Sequence, residues 1–269
     1  MEKNIKRIEI IFLLALTLTM IFSGCTTQIP TSDIEHVDSI MVYCGAGMRK
    51  PMDEVGTKFE EKYGVSVKYN YAGSNALLSQ MELTKEGDCY MPGERMYIDV
   101  AADKGLIGYK QDICYHIPII TVPKGNPAKI YSLEDFAKPG VKLVWGDPKA
   151  AAIGRLGVEI LEKNELYEEV WPNVIATLPT MNEVLVQIAM GQADASLNWW
   201  DTVKFVEEID IIEIPANQNI IEIVPIGVTT FSKNPNTAKQ FVDYVTSKEG
   251  KEIFEKHGFT AYPNPTYGN

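Results

Sequence analysis

Ile40-Met41-Val42-Tyr43-Cys44-Gly45-Ala46-Gly47-Met48-Arg49-Lys50-Pro51, continued through Tyr71, is the stretch that decides the architecture. Its first five residues are a short apolar run bounded by Gly45, the pattern of a buried strand. Met52, Val55, Phe59 and Tyr63 then recur at i, i+3, i+7 and i+11, one stripe of a helix that Gly64 ends. Val65-Ser66-Val67-Lys68-Tyr69-Asn70-Tyr71 alternates as a half-buried strand. Strand, helix and strand in succession predict α/β layers with a mostly parallel sheet.

The alternation continues outward from this unit. Leu77, Leu78 and Met81 mark a second helix, and residues 117–122 and 142–145 read as strands with a short helix at Leu133 and Phe136 between them. Ile153, Leu156, Ile160 and Leu161 make a helix entered after Asp147-Pro148, and Met181, Val184, Leu185 and Ile188 make another. Residues 195–198 and 220–231 are strand-like, and helices around 238–245 and 249–257 close the chain. No repeat of fixed period appears.

The chain start has a different character. Lys3, Lys6 and Arg7 precede a 13-residue apolar run from Ile10 to Phe22, and Ser23-Gly24-Cys25 follow. A basic start, a short apolar run and small residues before a break describe a secretory signal. Thirteen residues are few for about 30 Å of hydrocarbon, although an uncleaved anchor stays open as the alternative. Phe22-Ser23-Gly24-Cys25 resembles a lipobox, which would make Cys25 the lipidated first residue of the mature protein. The expected division is a lipoprotein signal over 1–24 and a polar, lipid-anchored linker over 25–38. Both place the remainder outside the cytoplasm.

Among 269 residues, 25 are basic and 36 acidic, a net charge of −11, which argues against a nucleic-acid partner. Three histidines and four scattered cysteines exclude a zinc ribbon or a disulfide-dense scaffold. Cys44, Cys89 and Cys114 sit in apolar contexts and read as buried thiols, with one disulfide open as an alternative. No Gly-x-Ser-x-Gly, His-Glu-x-x-His or Walker-type run is present, so an enzyme is not expected. His116 and His257, at the edges of elements, read as structural.

Four places suit an anion. Gly45-Ala46-Gly47-Met48 leads from a strand into a helix, with Pro51 in the first turn. Ala72-Gly73-Ser74-Asn75 leads into the second helix, where Ser74 either caps its own backbone or donates its hydroxyl to a ligand. Thr180 and Glu183 have capping-box spacing, which would leave the amides of Met181 and Asn182 free. Gly146-Asp147-Pro148 opens a fourth small-residue helix start. Unpaired amides at helix starts carry partial positive charge, so an ion cleft built from backbone dipoles would look like this.

Together these segments resemble the molybdate/tungstate-binding proteins of ABC importers (ModA-like), within the type II periplasmic-binding-protein fold. The carriers are Val42-Tyr43-Cys44-Gly45-Ala46-Gly47-Met48, Tyr71-Ala72-Gly73-Ser74-Asn75, Val144-Trp145-Gly146-Asp147-Pro148-Lys149, Gly191-Gln192-Ala193-Asp194-Ala195 and the run from Gly250 to Phe259. The resemblance covers the chain from about Ser39 to Tyr262. It implies two α/β lobes with the ligand cleft between them, residues 39–117 and 226–269 forming one lobe and 118–225 the other. It also implies a monomer without a cofactor or a protein-ligated metal, passing a small oxyanion to an ABC permease in the membrane. Motif by motif, the ligand contacts fall on Ala46, Gly47, Ser74, Ile153, Met181 and Trp199. Gly47 stands where the family often has serine and Trp199 where it often has tyrosine, which removes two hydroxyls. Arg49 either compensates or faces solvent. Rival readings are a binder of sulfate, phosphate or a small organic acid, and an enzyme on the same fold.

Overall fold

The computed structural model describes residues 37–267, a mixed α/β body. The expected signal over 1–24, the lipidation site Cys25 and nearly all of the linker lie outside the described residues. Among the described residues no helix is long and apolar enough to cross a membrane.

The deciding stretch folds as read. Strand β1 (Ser39–Gly45) passes through a single 3-10 turn (Ala46–Met48) into α1 (Arg49–Tyr63) and returns as β2 (Ser66–Ala72), parallel to β1. Met52, Val55 and Phe59 are buried on the sheet, and Gly64 ends the helix with φ 72°, a left-handed cap that suits glycine. Tyr63, at the frayed end of the stripe, is part-exposed and lays its ring against Phe59 at 4.7 Å. Next come α2 (Ser74–Thr84), β3 (Cys89–Met91), α3 (Arg95–Asp103) and the long β4 (Ile107–His116).

At Ile117 the chain leaves this sheet. β5 (Pro118–Pro123), β6 (Leu143–Gly146), α4 (Ala152–Lys163), α5 (Tyr167–Val170), β7 (Val174–Leu178), α6 (Met181–Ala189), β8 (Ser196–Trp199), α7 (Trp200–Val203) and β9 (Ile209–Glu213) build a second layer system. The strands order as β8-β5-β9 and β6-β7, and the bridge between Leu143 and Ala195 joins the two pieces. Residues 214–221 lead back to β10 (Glu222–Thr229), α8 (Pro235–Val245), α9 (Lys248–Lys256) and β11 (Thr260–Ala261). The first sheet therefore reads β11-β4-β10-β3-β1-β2. Each sheet has its own core: Met52, Phe59, Phe241 and Phe254 belong to the first, Trp145, Phe136 and Leu156 to the second. This is the two-lobed periplasmic-binding-protein fold.

The sheets are less parallel than expected. β1 with β2, β1 with β3 and β6 with β7 are parallel, but β10 runs antiparallel to β3 and β4, and β5 antiparallel to β8 and β9. The chain leaves the first sheet on β4 and re-enters on β10, so these two necessarily point in opposite directions. Cys44, Cys89 and Cys114 are free and buried, and desolvation pushes all three thiols up, away from the thiolate. The disulfide alternative is thereby set aside.

Candidate functional site

The carboxyl ends of β1, β2, β3, β6, β7 and β8 all deliver turns to one cleft, the position where open α/β sheets bind ligands. Its central chamber, about 360 Å³, is lined by Ala46, Gly47, Ser74, Gly93, Ala152, Thr180, Met181, Trp199, His116 and neighbours. Of the six residues expected at the ligand, five line this chamber. The sixth, Ile153, buries its side chain in the second core while the preceding Ala152 forms the wall.

Backbone donors are set by how each helix begins. In α4, Gly154 and Arg155 donate to the carbonyl of Ala151, leaving the amides of Ala152 and Ile153 without an intrahelical acceptor. α4 also lies close on β6: a Cβ on Gly154 would fall 2.1 Å from the carbonyl oxygen of Gly146, so only glycine permits this approach. α6 starts with the expected capping box, in which the amide of Glu183 donates to Thr180 Oγ1 and the amide of Thr180 to Glu183 Oε2. The amides of Met181 and Asn182 are what this leaves over.

Ser74 does not cap its helix. Gly73 is the N-cap of α2, and the Ser74 hydroxyl accepts the amide of Gly93 at 3.0 Å. With that lone pair engaged, the hydroxyl proton is available to the chamber. Gly47 leaves room as well, since a Cβ there would meet nothing within 4 Å. Arg49 stacks its guanidinium 4.0 Å over the ring of Tyr71, whose hydroxyl donates to Asp53 at 2.6 Å. Burial and that hydrogen bond push the Tyr71 phenol up.

Sequence reasoning passed over His116 and Glu94. His116 was expected to be structural, yet it lies on the cleft floor with its ring stacked on Trp199 at 3.7 Å. Glu94, the N-cap of α3, is 1% exposed and pairs at 2.5 Å with Arg155 of α4, which belongs to the second layer system. Its other oxygen has no hydrogen-bond partner. A Gly-Glu-Arg run gives no local sign of such a pairing. The central chamber opens on both sides, sharing Gly73, Ser74 and Ala152 with one of about 350 Å³ and Ala46, Gly47, Asn182 and Thr202 with one of about 510 Å³.

Two lobes with polar helix starts converging between them define a solute-binding protein. Residues 40–260 match the model of the bacterial extracellular solute-binding protein family, and the chain belongs to that family. It is 25% identical over 240 residues to the molybdate-binding protein ModA of Mycobacterium tuberculosis, covering 88% of this chain and 90% of the relative. It is 24% identical over 255 residues to a Bacillus subtilis chain provisionally named an ABC transporter substrate-binding lipoprotein, covering 93% and 97%. The fold also matches the sulfate-binding protein SubI of Mycobacterium tuberculosis, with TM-score 0.71 and 16% identity over 86% of this chain and 89% of that one.

Proposed function

We propose that this protein captures a tetrahedral oxyanion, molybdate or tungstate, and delivers it to the permease of an ABC importer. The observation that carries the reading is the convergence of four helix starts and the Ser74 hydroxyl on one chamber. The ligand contacts are Ala46, Gly47, Ser74, Met181 and Trp199, with Ile153 and Ala152 donating through backbone. Each oxygen of the ion trades water for neutral donors and helix dipoles. An acceptor-only ion fits such a cage, whereas a protonated oxygen of hydrogen phosphate would face a donor, at a cost of about 1–3 kcal/mol.

Residues 39–117 with 226–269, and residues 118–225, would then close on the ion as two bodies. Names among the relatives support the transport role and the lipoprotein anchor at Cys25. The absence of a nucleophile-base constellation from the sequence favours binding over catalysis. Sulfate is the second reading, favoured by the likeness to a sulfate-binding fold.

A thermal-shift titration with molybdate, tungstate, sulfate and phosphate decides between them. Ligand at about a thousand times its Kd adds on the order of 4 kcal/mol, a rise of several degrees. Stabilisation by sulfate or phosphate alone would discard molybdate, and no response to any of the four would discard the oxyanion.

A further inference from the structure

His116 ends β4, the strand on which the chain leaves the first sheet, and is 5% exposed. Both of its ring nitrogens face oxygens that only accept. Nδ1 lies 3.4 Å from the carbonyl oxygen of Gly93, and Nε2 lies 3.2 Å from Oδ1 of Asp201 on α7. The Asp201 oxygen sits off the line of the ring N–H, which leaves Nε2 buried and without a hydrogen bond although the carboxylate is close. A neutral imidazole carries one N–H, so either tautomer would turn a lone pair toward an acceptor. The imidazolium alone turns no lone pair toward an acceptor and sets its positive charge 3.2 Å from the Asp201 carboxylate.

Two further contacts point the same way. Trp199 stacks on the ring with planes 12° apart, and an indole face attracts a cation. The side chain of Asp201 is 6% exposed, and among the described residues His116 is the one potential cation within 4 Å of its carboxylate. Its second oxygen accepts the Thr202 hydroxyl at 3.3 Å. Other charged groups stand around the ring. Glu222 is the partner of His116 in the β4–β10 ladder, and burial pushes its carboxyl toward the neutral form. Glu94, one residue beyond Gly93, is paired with Arg155, and Arg95 with Asp112. His257, farther along the cleft, is held by Glu54.

We propose that His116 is the titratable cation of the binding site and that anion capture is coupled to its protonation. This rests on the anion reading above. With the ring neutral, the bare Asp201 carboxylate stands beside the chamber and repels the ligand. With the ring protonated, the pair is neutral overall and presents no opposing charge. The bound anion favours the imidazolium, so the complex holds the proton to higher pH than the free protein does. Affinity is therefore highest at low pH and falls as pH rises through the ring's titration, by at most about tenfold per pH unit.

The test is calorimetric titration of the full-length protein with molybdate at about pH 6.5, 7.5 and 8.5, in buffers of different ionisation enthalpy. The expected result is a Kd that rises with pH and heat that varies with buffer, reporting proton uptake. His116→Gln should bind weakly and without pH dependence, and Asp201→Asn should also lose the pH dependence yet bind at least as tightly as the parent at the highest pH. A parent Kd that is flat with pH, with buffer-independent heat, overturns the coupling, as does an unchanged slope in His116→Gln. If the variants do not fold, the buffer dependence of the parent decides. Nitrogen NMR of the ring reads the charge directly: a His116 that stays neutral in the molybdate complex overturns the coupling. A charged ring in a protein that binds no molybdate at any pH supports the assignment of the cation and overturns the ligand reading alone.

Discussion

Replacing Ser74 with alanine perturbs two hydrogen bonds of different kinds, which can be measured apart. The hydroxyl oxygen accepts the Gly93 amide at 3.0 Å, and this bond exists whether or not the cleft is filled. Its loss leaves a part-buried N–H without its acceptor, about 1 kcal/mol, and for a chain of this size that lowers the melting temperature by roughly 2–4 °C. The second bond forms only with ligand: the hydroxyl proton, displaced from Gly93 by geometry, donates to the ion. Removing it should weaken binding by about 1–2 kcal/mol, roughly 5- to 30-fold in Kd. Calorimetric titration with molybdate gives the second quantity, and thermal unfolding of the ligand-free variant gives the first. A variant that melts lower but binds molybdate with unchanged affinity would refute the reasoning, because the hydroxyl would then serve the 91–93 loop and nothing else.

Other perturbations test separate features. Gly47→Ser puts a hydroxyl where nothing lies within 4 Å, so it should fold normally and tighten oxyanion binding several-fold, on the order of 1 kcal/mol, in the same titration. Gly154→Ala drives a Cβ to 2.1 Å from the Gly146 carbonyl, and a loss of about 1–3 kcal/mol should appear in the urea midpoint. Arg155→Ala strands the buried Glu94 carboxylate and should cost about 3 kcal/mol by urea unfolding, with much of the loss recovered in the double variant carrying Glu94→Gln. Glu222 is held above the usual carboxylate range by burial first, with Glu94 adding to it. The folded state thus binds its proton more tightly than the unfolded chain, and its contribution to stability is lost as pH rises from the ordinary carboxylate value through the folded one. Glu222→Gln should flatten that part of the stability–pH curve, and an unchanged slope would exclude the assignment.

Local pattern carried the frame of the site. The strand–glycine–helix starts at Gly45, Gly73 and Gly146, and the Thr180–Glu183 box, are each complete within a few residues, so the sequence states them directly. The same holds for the stripe of α1. What escaped was non-local. β4 lacks simple alternation, with Gly108 to Lys110 exposed between a buried start and a buried end, because it borders two strands and then crosses to the second sheet. Whether Ser74 caps its helix stayed open in the sequence because its actual partner, the Gly93 amide, is 19 residues away. His116 looked structural because Trp199 of β8 and Asp201 of α7 reach it from more than 80 residues along the chain.

The stack of Trp199 on His116 also makes the protein its own optical probe. Of the tryptophans at 145, 171, 199 and 200, Trp199 is the one that lines the central chamber. Its excited state lies in van der Waals contact with an imidazole, a ring that quenches indole emission when it carries a proton, and any shift of β8 relative to β4 alters that contact. Lobe closure and ring protonation would thus be written into one intrinsic fluorescence signal, readable on the millisecond scale in a stopped-flow cell with no label attached.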